Sequence, residues 1–232
     1  MEVAVLSDIL ISCENLSLSF PNHQVLSDLS FQLHRGDFLG VIGENGVGKT
    51  TLVRLILKQL RPSGGHIRLA PGLKIGYVPQ FRNIDVEYPL SIRDFIGLSF
   101  TGLKLPWLSG KEKNRVNEVM KSVGLTEIAD RPLGLASGGE KQKAYLAQAL
   151  INHPDLLILD ESTASLDPST KKELLDVVLR LNNQLGLTIL FVSHDMQLIR
   201  EYPKHYLWLQ KDHYETGKIQ DLPEGAEEGL YV

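Results

Sequence analysis

The octapeptide Gly43-Glu44-Asn45-Gly46-Val47-Gly48-Lys49-Thr50 constrains this chain more than any other stretch. It fits G-x-x-x-x-G-K-[ST], a loop pattern that wraps backbone around phosphate. Asp37 to Ile42, just before it, is a short apolar run with the character of a buried strand. Thr51 to Leu57, just after it, has helix-forming residues at apolar spacing, stopped by Pro62 and Gly64-Gly65. Gly43, Gly46 and Gly48 let the backbone turn tightly and bring N–H groups against phosphate oxygens. The helix start adds unpaired N–H groups and the positive end of a dipole. Lys49 supplies a fixed charge for β- and γ-phosphates. Thr50 offers a hydroxyl to Mg²⁺, a hard ion that prefers oxygen.

A length of 232 residues allows one large domain, or a domain with a subdomain. A hydrophobic fraction of 43% and a charged fraction of 22% are those of an ordinary soluble protein. The net charge of −4 gives no support to a nucleic-acid binder driven by bulk charge. Cys13 stands alone, cannot close an internal disulfide, and reads as a packing residue in a reducing compartment. Met1 to Leu6 lacks the basic start and apolar core of a signal peptide. No apolar run approaches the ~18–20 residues of a membrane helix. The expectation is a cytoplasmic protein whose membrane role, if any, comes from a partner.

Residues 9–34 alternate short apolar runs with turn residues, read as strands around Ile9–Ile11, Leu16–Phe20 and Leu29–Leu33, with a turn at 21–23. They predict an antiparallel layer. Phe20 ends one strand and on pattern alone reads as a core aromatic. Strands are also predicted over 65–69 and 74–80, leaving Gln80 at a strand end beside Pro79. Helices are expected from Ser91 and over Lys111–Val123, closed by Gly124. Ser137-Gly138-Gly139 precedes a helix predicted over Lys141–Ile151, and serves equally as a flexible cap or a second anion site. Leu156 to Asp160 is almost purely apolar, as in a central parallel strand buried on both faces. Ligands meet such sheets at the strands' carboxyl ends. Asp160 can there hold Mg²⁺ through water, and Glu161 can polarise an attacking water. Pro168 starts a helix read through Arg180. Strand 186–192 leads to His194, at the same sheet edge as the carboxylates. The tail from Leu207 reads as a hairpin, and the segment from Pro223 as frayed.

Taken together, the glycine loop, Gln80, Ser137-Gly138-Gly139, Leu156 to Glu161, Ser165-Leu166-Asp167 and His194 resemble the ATP-binding subunit of ABC transporters over nearly the whole chain. The resemblance implies an α/β fold: a P-loop nucleotidase core with an N-terminal antiparallel β layer (1–83 and 144–232) and a helical subdomain (84–143). It implies ATP and Mg²⁺ as cofactors, with Thr50, Gln80 and Asp160 on the metal. Nucleotide contacts extend over Gly43, Glu44, Asn45, Gly46, Val47, Gly48, Lys49, Thr50 and Thr51. Phe20 would stack on the adenine. Glu161, His194 and Gln80 would serve hydrolysis, with His194 as the switch histidine. Ser137, Gly138 and Gly139 would cap ATP bound to a second copy, and Asp167 would lie at that dimer interface. The implied partners are a transmembrane permease, a second copy of the chain and, indirectly, a substrate-binding protein, with no nucleic acid. The implied location is the inner membrane face. Ala136, Glu140 and Ser162 depart from the family's usual Leu, Gln and Pro, and remove no phosphate or water contact.

The run from Tyr77 through Ile84-Asp85, Tyr88-Pro89 and Ser91 to Phe95, with Glu140, resembles the zinc and manganese uptake branch. An exporter of lipid or haem, or a non-transport P-loop ATPase, is the alternative. Asp85 to Phe100, with Tyr88, Leu90, Phe95 and Ile96, is the expected docking surface for the permease.

Overall fold

Two-residue alternation makes the first strands two-faced, and that alternation builds the first layer. The computed structural model describes residues 8–21, 23–80, 89–100, 108–164, 166–211 and 213–224. β1 (Ile9–Phe20) and β2 (His23–His34) form an antiparallel hairpin in which Phe20 faces His23. After β3 (Phe38–Ile42) and α1 (Lys49–Ile56), β4 (Gly64–Leu69) returns to pair with the free edge of β1. The antiparallel layer is therefore β2-β1-β4 and not N-terminal alone. The three short runs expected over 9–34 are two 12-residue strands. Glu14 and Asn15, between the first two of those runs, are exposed at a register shift within β1, where Asn15 takes φ 48°.

The second sheet adds β5 (Ile75–Val78), β6 (Leu156–Asp160), β7 (Thr188–Val192), β8 (His205–Leu209) and β9 (Tyr214–Lys218), in the order β5-β6-β7-β3-β8-β9. All its pairs are parallel except β8 with β9. Every residue of β3, β6 and β7 is buried, which explains their unbroken apolar runs. Successive side chains in them serve different cores. Leu39, Val41, Leu156 and Ile158 pack with the antiparallel layer and with Leu52, Val53, Leu55 and Ile56 of α1. Phe38, Ile42, Leu157, Leu159 and Phe191 pack against the helices on the other face. Each fully buried Leu, Ile or Phe contributes about 1.5–3 kcal/mol, so a one-residue slip would forfeit both cores together.

The helices are α2 (Ile92–Gly97), α3 (Gly110–Val123), α4 (Gly138–Leu150), α5 (Pro168–Leu185) and α6 (Met196–Glu201). Ser109 with Glu112, and Ser137 with Glu140, form capping boxes at α3 and α4. The second box moves the start of α4 to Gly138, three residues before the expected Lys141. α4 then runs unbroken through residue 143, where the sequence division was placed. Gly124 and Gly186 close α3 and α5 in the left-handed region. Phe95 and Ile96, expected on a docking surface, are 6% and 0% exposed. Phe95 meets Tyr145 of α4 edge-on, with centroids 5.2 Å apart, so these two are core residues. Leu90 is half-buried, and Tyr88 lies outside the described residues.

The entrance to β3 is fixed by one buried amide. Asn182 of α5 donates through Nδ2 to the Gly36 carbonyl at 2.9 Å and the Leu187 carbonyl at 2.7 Å, and its Oδ1 accepts from Lys204 Nζ at 3.3 Å. Asn182→Leu leaves the buried Leu187 carbonyl and the half-buried Gly36 carbonyl without this donor. It should lower stability by about 2–4 kcal/mol, read as a shift in urea midpoint at unchanged slope.

Candidate active site

The sheet register decides which residues meet. Val41 of β3 lies beside Val192 of β7, and Val192 lies beside Asp160 of β6. Val78 of β5 lies beside Leu159. Four strands thus end on one edge, and the residues just beyond them are Gly43, Ser193-His194, Glu161 and Gln80. Two backbone bonds pin these exits: Ser193 N–H to the Val41 carbonyl at 3.2 Å, and Glu161 N–H to the Val192 carbonyl at 3.0 Å.

The glycine loop curls back over β3. Gly43 has φ 151°, and a Cβ there would lie 2.4 Å from the Leu209 carbonyl oxygen. Gly48 has φ 113°, and a Cβ there would lie 2.9 Å from Leu26 Cδ2. No other residue fits either position. Lys49, the first residue of α1, is 5% exposed. Its ammonium donates to the Gly43 and Glu44 carbonyls at 2.6 and 2.8 Å and lies 3.8 Å from Glu161 Oε1. Burial lowers its pKa, while Glu161, Asp160 and Glu44 pull it back up. Glu44, Asn45 and Gly46 are exposed, Val47 and Thr51 are half-buried, and Thr50 is exposed at the first turn of α1.

Asp160 is buried at the end of β6. Its Oδ2 accepts from the Tyr77 hydroxyl at 3.2 Å, while Oδ1 is buried without a hydrogen-bond partner. Burial raises its pKa, opposed by the Tyr77 hydrogen bond. Glu161 follows with φ 47°, in the left-handed region that costs a non-glycine residue about 1–3 kcal/mol. That turn aims its carboxylate at three neighbours. Oε2 accepts from Gln80 Nε2 at 3.3 Å, and Oε1 lies 3.8 Å from Lys49 Nζ and 3.9 Å from His194 Nδ1. His194 Nδ1 is itself buried with no hydrogen-bond partner. Lys49, Gln80, Asp160, Glu161 and His194, chosen from sequence, are therefore one cluster.

The other candidates stand apart from it. Phe20 is 50% exposed, so the core reading of that ring fails. It faces His23, which lines a cavity of about 220 Å³ with Gln24, Val25, the loop residues 44–47 and Lys211. Sequence reasoning named residues 44–47 but missed His23, Gln24, Val25 and Lys211, and it gave Tyr77 no role at the site. The missed residues lie at two hairpins far apart in sequence, and nothing in the sequence pointed Tyr77 toward Asp160. Ser137 and Gly138 are exposed at the start of α4, and a Cβ at Gly139 would lie 2.4 Å from Thr170 Cγ2. Among the described residues, no hydrogen bond or ion pair links Ser137, Gly138 or Gly139 to the cluster. Asp167 caps α5, accepting from Thr170 N–H at 3.1 Å and Thr170 Oγ1 at 2.6 Å, and these bonds lower its pKa. Ser165 lies outside the described residues.

The residues present fit a phosphate-bound Mg²⁺. No group of three or more His, Cys, Asp or Glu could hold a metal among the described residues. Mg²⁺ needs no such cage, since it takes one or two protein oxygens beside phosphate and water. The unpartnered Asp160 Oδ1 and the exposed Thr50 hydroxyl are ligands of that kind.

Comparison with known proteins bears on the family and the fold. Residues 26–164 match the family model described as ABC transporter. Zinc import ATP-binding protein ZnuC of Yersinia enterocolitica is 38% identical over 190 residues, 82% of this chain and 72% of the relative. The protein of the same name from Photorhabdus laumondii is 36% identical, over 82% and 70% of the two chains. Among solved structures, an ABC transporter in an inward-facing conformation superposes with a TM-score of 0.86 at 27% identity, covering 95% of this chain and 87% of that one. The cbiO1 protein of Clostridium perfringens, part of the cbiONQ transporter complex, superposes with a TM-score of 0.82 at 26% identity, covering 95% and 93%.

Asp160 allows a test without any ligand. Its folded-state pKa lies above the unfolded value, so the folded chain binds that proton more tightly. The stability this gives is present in acid and declines as pH rises through the folded pKa. Asp160→Asn removes the decline. At neutral pH its ligand-free melting midpoint should rise by about 2–4 °C, the response of a domain this size to ~1 kcal/mol. A midpoint below that of the parent would contradict the account.

Proposed function

This chain belongs to the ABC transporter family as its ATP-binding and ATP-hydrolysing subunit, and from that premise we propose that it powers uptake of a divalent transition metal, zinc first and manganese second. The observation carrying the cargo is its similarity to proteins named for zinc import, over more than two thirds of both chains. Of the sequence pattern from Tyr77 to Phe95, with Glu140, that also resembles this branch, residues 81–88 lie outside the described residues. No residue of the cluster reads the cargo, which crosses through a permease.

The glycine loop and Lys49 bind the triphosphate, and Lys49 exchanges carbonyl acceptors of the loop for phosphate oxygens. Thr50, Asp160 and Gln80 would hold Mg²⁺, which when bound supplies positive charge to the phosphate oxygens. Glu161 orients and polarises the attacking water. Its strained backbone places the carboxylate where Gln80 and His194 both reach it, so each can report on the reacting phosphate. Phe20, paired across the hairpin with the cavity-lining His23, stacks on the base. Ser137, Gly138 and Gly139, apart from their own chain's cluster, complete the site of a second copy, with Asp167 at the interface. We assign 84–143 as the helical subdomain that carries this surface, and the core to 1–83 and 144–232. Among the described residues no helix is long and apolar enough to cross a membrane. Attachment to the inner membrane face would then come through the permease, with a substrate-binding protein acting beyond it.

Glu161→Gln should retain ATP binding and lose hydrolysis by roughly 10²–10⁴, the range of a general base, in a steady-state phosphate-release assay. In cells lacking the native chain, the parent protein should restore saturable zinc uptake and Glu161→Gln should not. Zinc and manganese uptake that persist in those cells while lipid or haem export fails would overturn the cargo.

A further inference from the structure

Glu140 poses a charge problem at the start of α4. A helix start favours anions because its first N–H groups are unpaired and its dipole end is positive. Here Glu140 Oε2 takes the Ser137 N–H at 2.6 Å, and Ser137 Oγ accepts from Glu140 N–H at 3.2 Å. A glutamine in that place would make the same box without a charge. The carboxylate instead opposes any second anion brought to Ser137. Arg131 meets it: Nη1 lies 3.4 Å from Glu140 Oε2, and Nη2 donates to the Leu135 carbonyl at 2.6 Å. The planar guanidinium spans both acceptors, which a lysine ammonium does not.

The backbone around Arg131 is also tied to the segment that enters α2. Its carbonyl accepts from Ile92 N–H at 3.0 Å, the Leu90 carbonyl accepts from Leu133 N–H at 2.9 Å, and Ser91 bridges Pro132. The backbone at 90–92, which enters α2, is thus stitched to the one that leads to Ser137.

We propose that Arg131 is a positioning residue of the shared nucleotide site: by pairing with Glu140 and holding the Leu135 carbonyl, it lets Ser137 of one copy approach the phosphates bound by another. This rests on the reading that Ser137, Gly138 and Gly139 complete a second copy's site. Glu140 contributes the capping geometry and Arg131 removes its electrostatic cost.

The test compares Arg131→Ala, Glu140→Gln, the double variant and Ser137→Ala. Dimerisation is measured by sedimentation with Mg²⁺ and a non-hydrolysable ATP analogue at two salt concentrations, beside melting midpoints and analogue affinity at dilution. Arg131→Ala should weaken the dimer at least ~5-fold, the low end of site-to-site coupling, and leave affinity at dilution unchanged. Glu140→Gln should recover the dimer in the Arg131→Ala background and flatten the salt dependence. A dimer of parental strength in Arg131→Ala overturns the proposal. So does a loss that Glu140→Gln fails to recover, which is also what a folding defect would give. Ser137→Ala separates the two readings. If it loses the dimer while Arg131→Ala keeps it, only the role of Arg131 falls. If both keep it, the shared-site reading falls and the role of Arg131 falls with it.

Discussion

A buried ammonium is costly unless donors and charges around it are matched, and Lys49 is the group on which the site turns. Its partners come from three places: the carbonyls of Gly43 and Glu44, the carboxylate of Glu161, and the field of Asp160. These meet only if β3, β7 and β6 lie side by side in the observed register. The two apolar cores, one on each face of that sheet, exist to hold this register. The local capping and the Asn182 amide fix how each strand enters it.

Glu161 shows where this arrangement stores strain. A non-glycine residue at φ 47° persists only because its backbone N–H is bonded to Val192 and its carboxylate faces Gln80, Lys49 and His194. Those three side chains come from three different segments. Any ligand that draws Lys49 or Gln80 away therefore changes what holds Glu161. The start of α4 is exposed, and among the described residues no hydrogen bond or ion pair ties it to this cluster.

Much of this was legible in the sequence because the signals were local. A glycine loop between an apolar run and a helix, and an apolar pentapeptide ending in Asp160-Glu161, each state their own geometry. Their meeting was legible only through parallel-sheet logic, which sends successive strand ends to one edge. Phe20 shows the limit: a strand-end aromatic has the same pattern whether buried or exposed, and only the placement of the β1–β2 turn decides. Phe95 and Ile96 failed as surface residues for a related reason. Their apolar face was visible, but α4, which covers it, starts more than forty residues later. Arg131 carried no motif signal, since its importance arises from a carboxylate nine residues on.

The central claim is that the glycine loop and Lys49 form one phosphate-binding unit. It is tested most directly by calorimetric titration of ATP into the Lys49→Ala protein. Loss of a buried charge-assisted contact should weaken ATP binding at least ~10-fold, with little change for adenosine alone. ATP affinity equal to that of the parent protein would contradict the account.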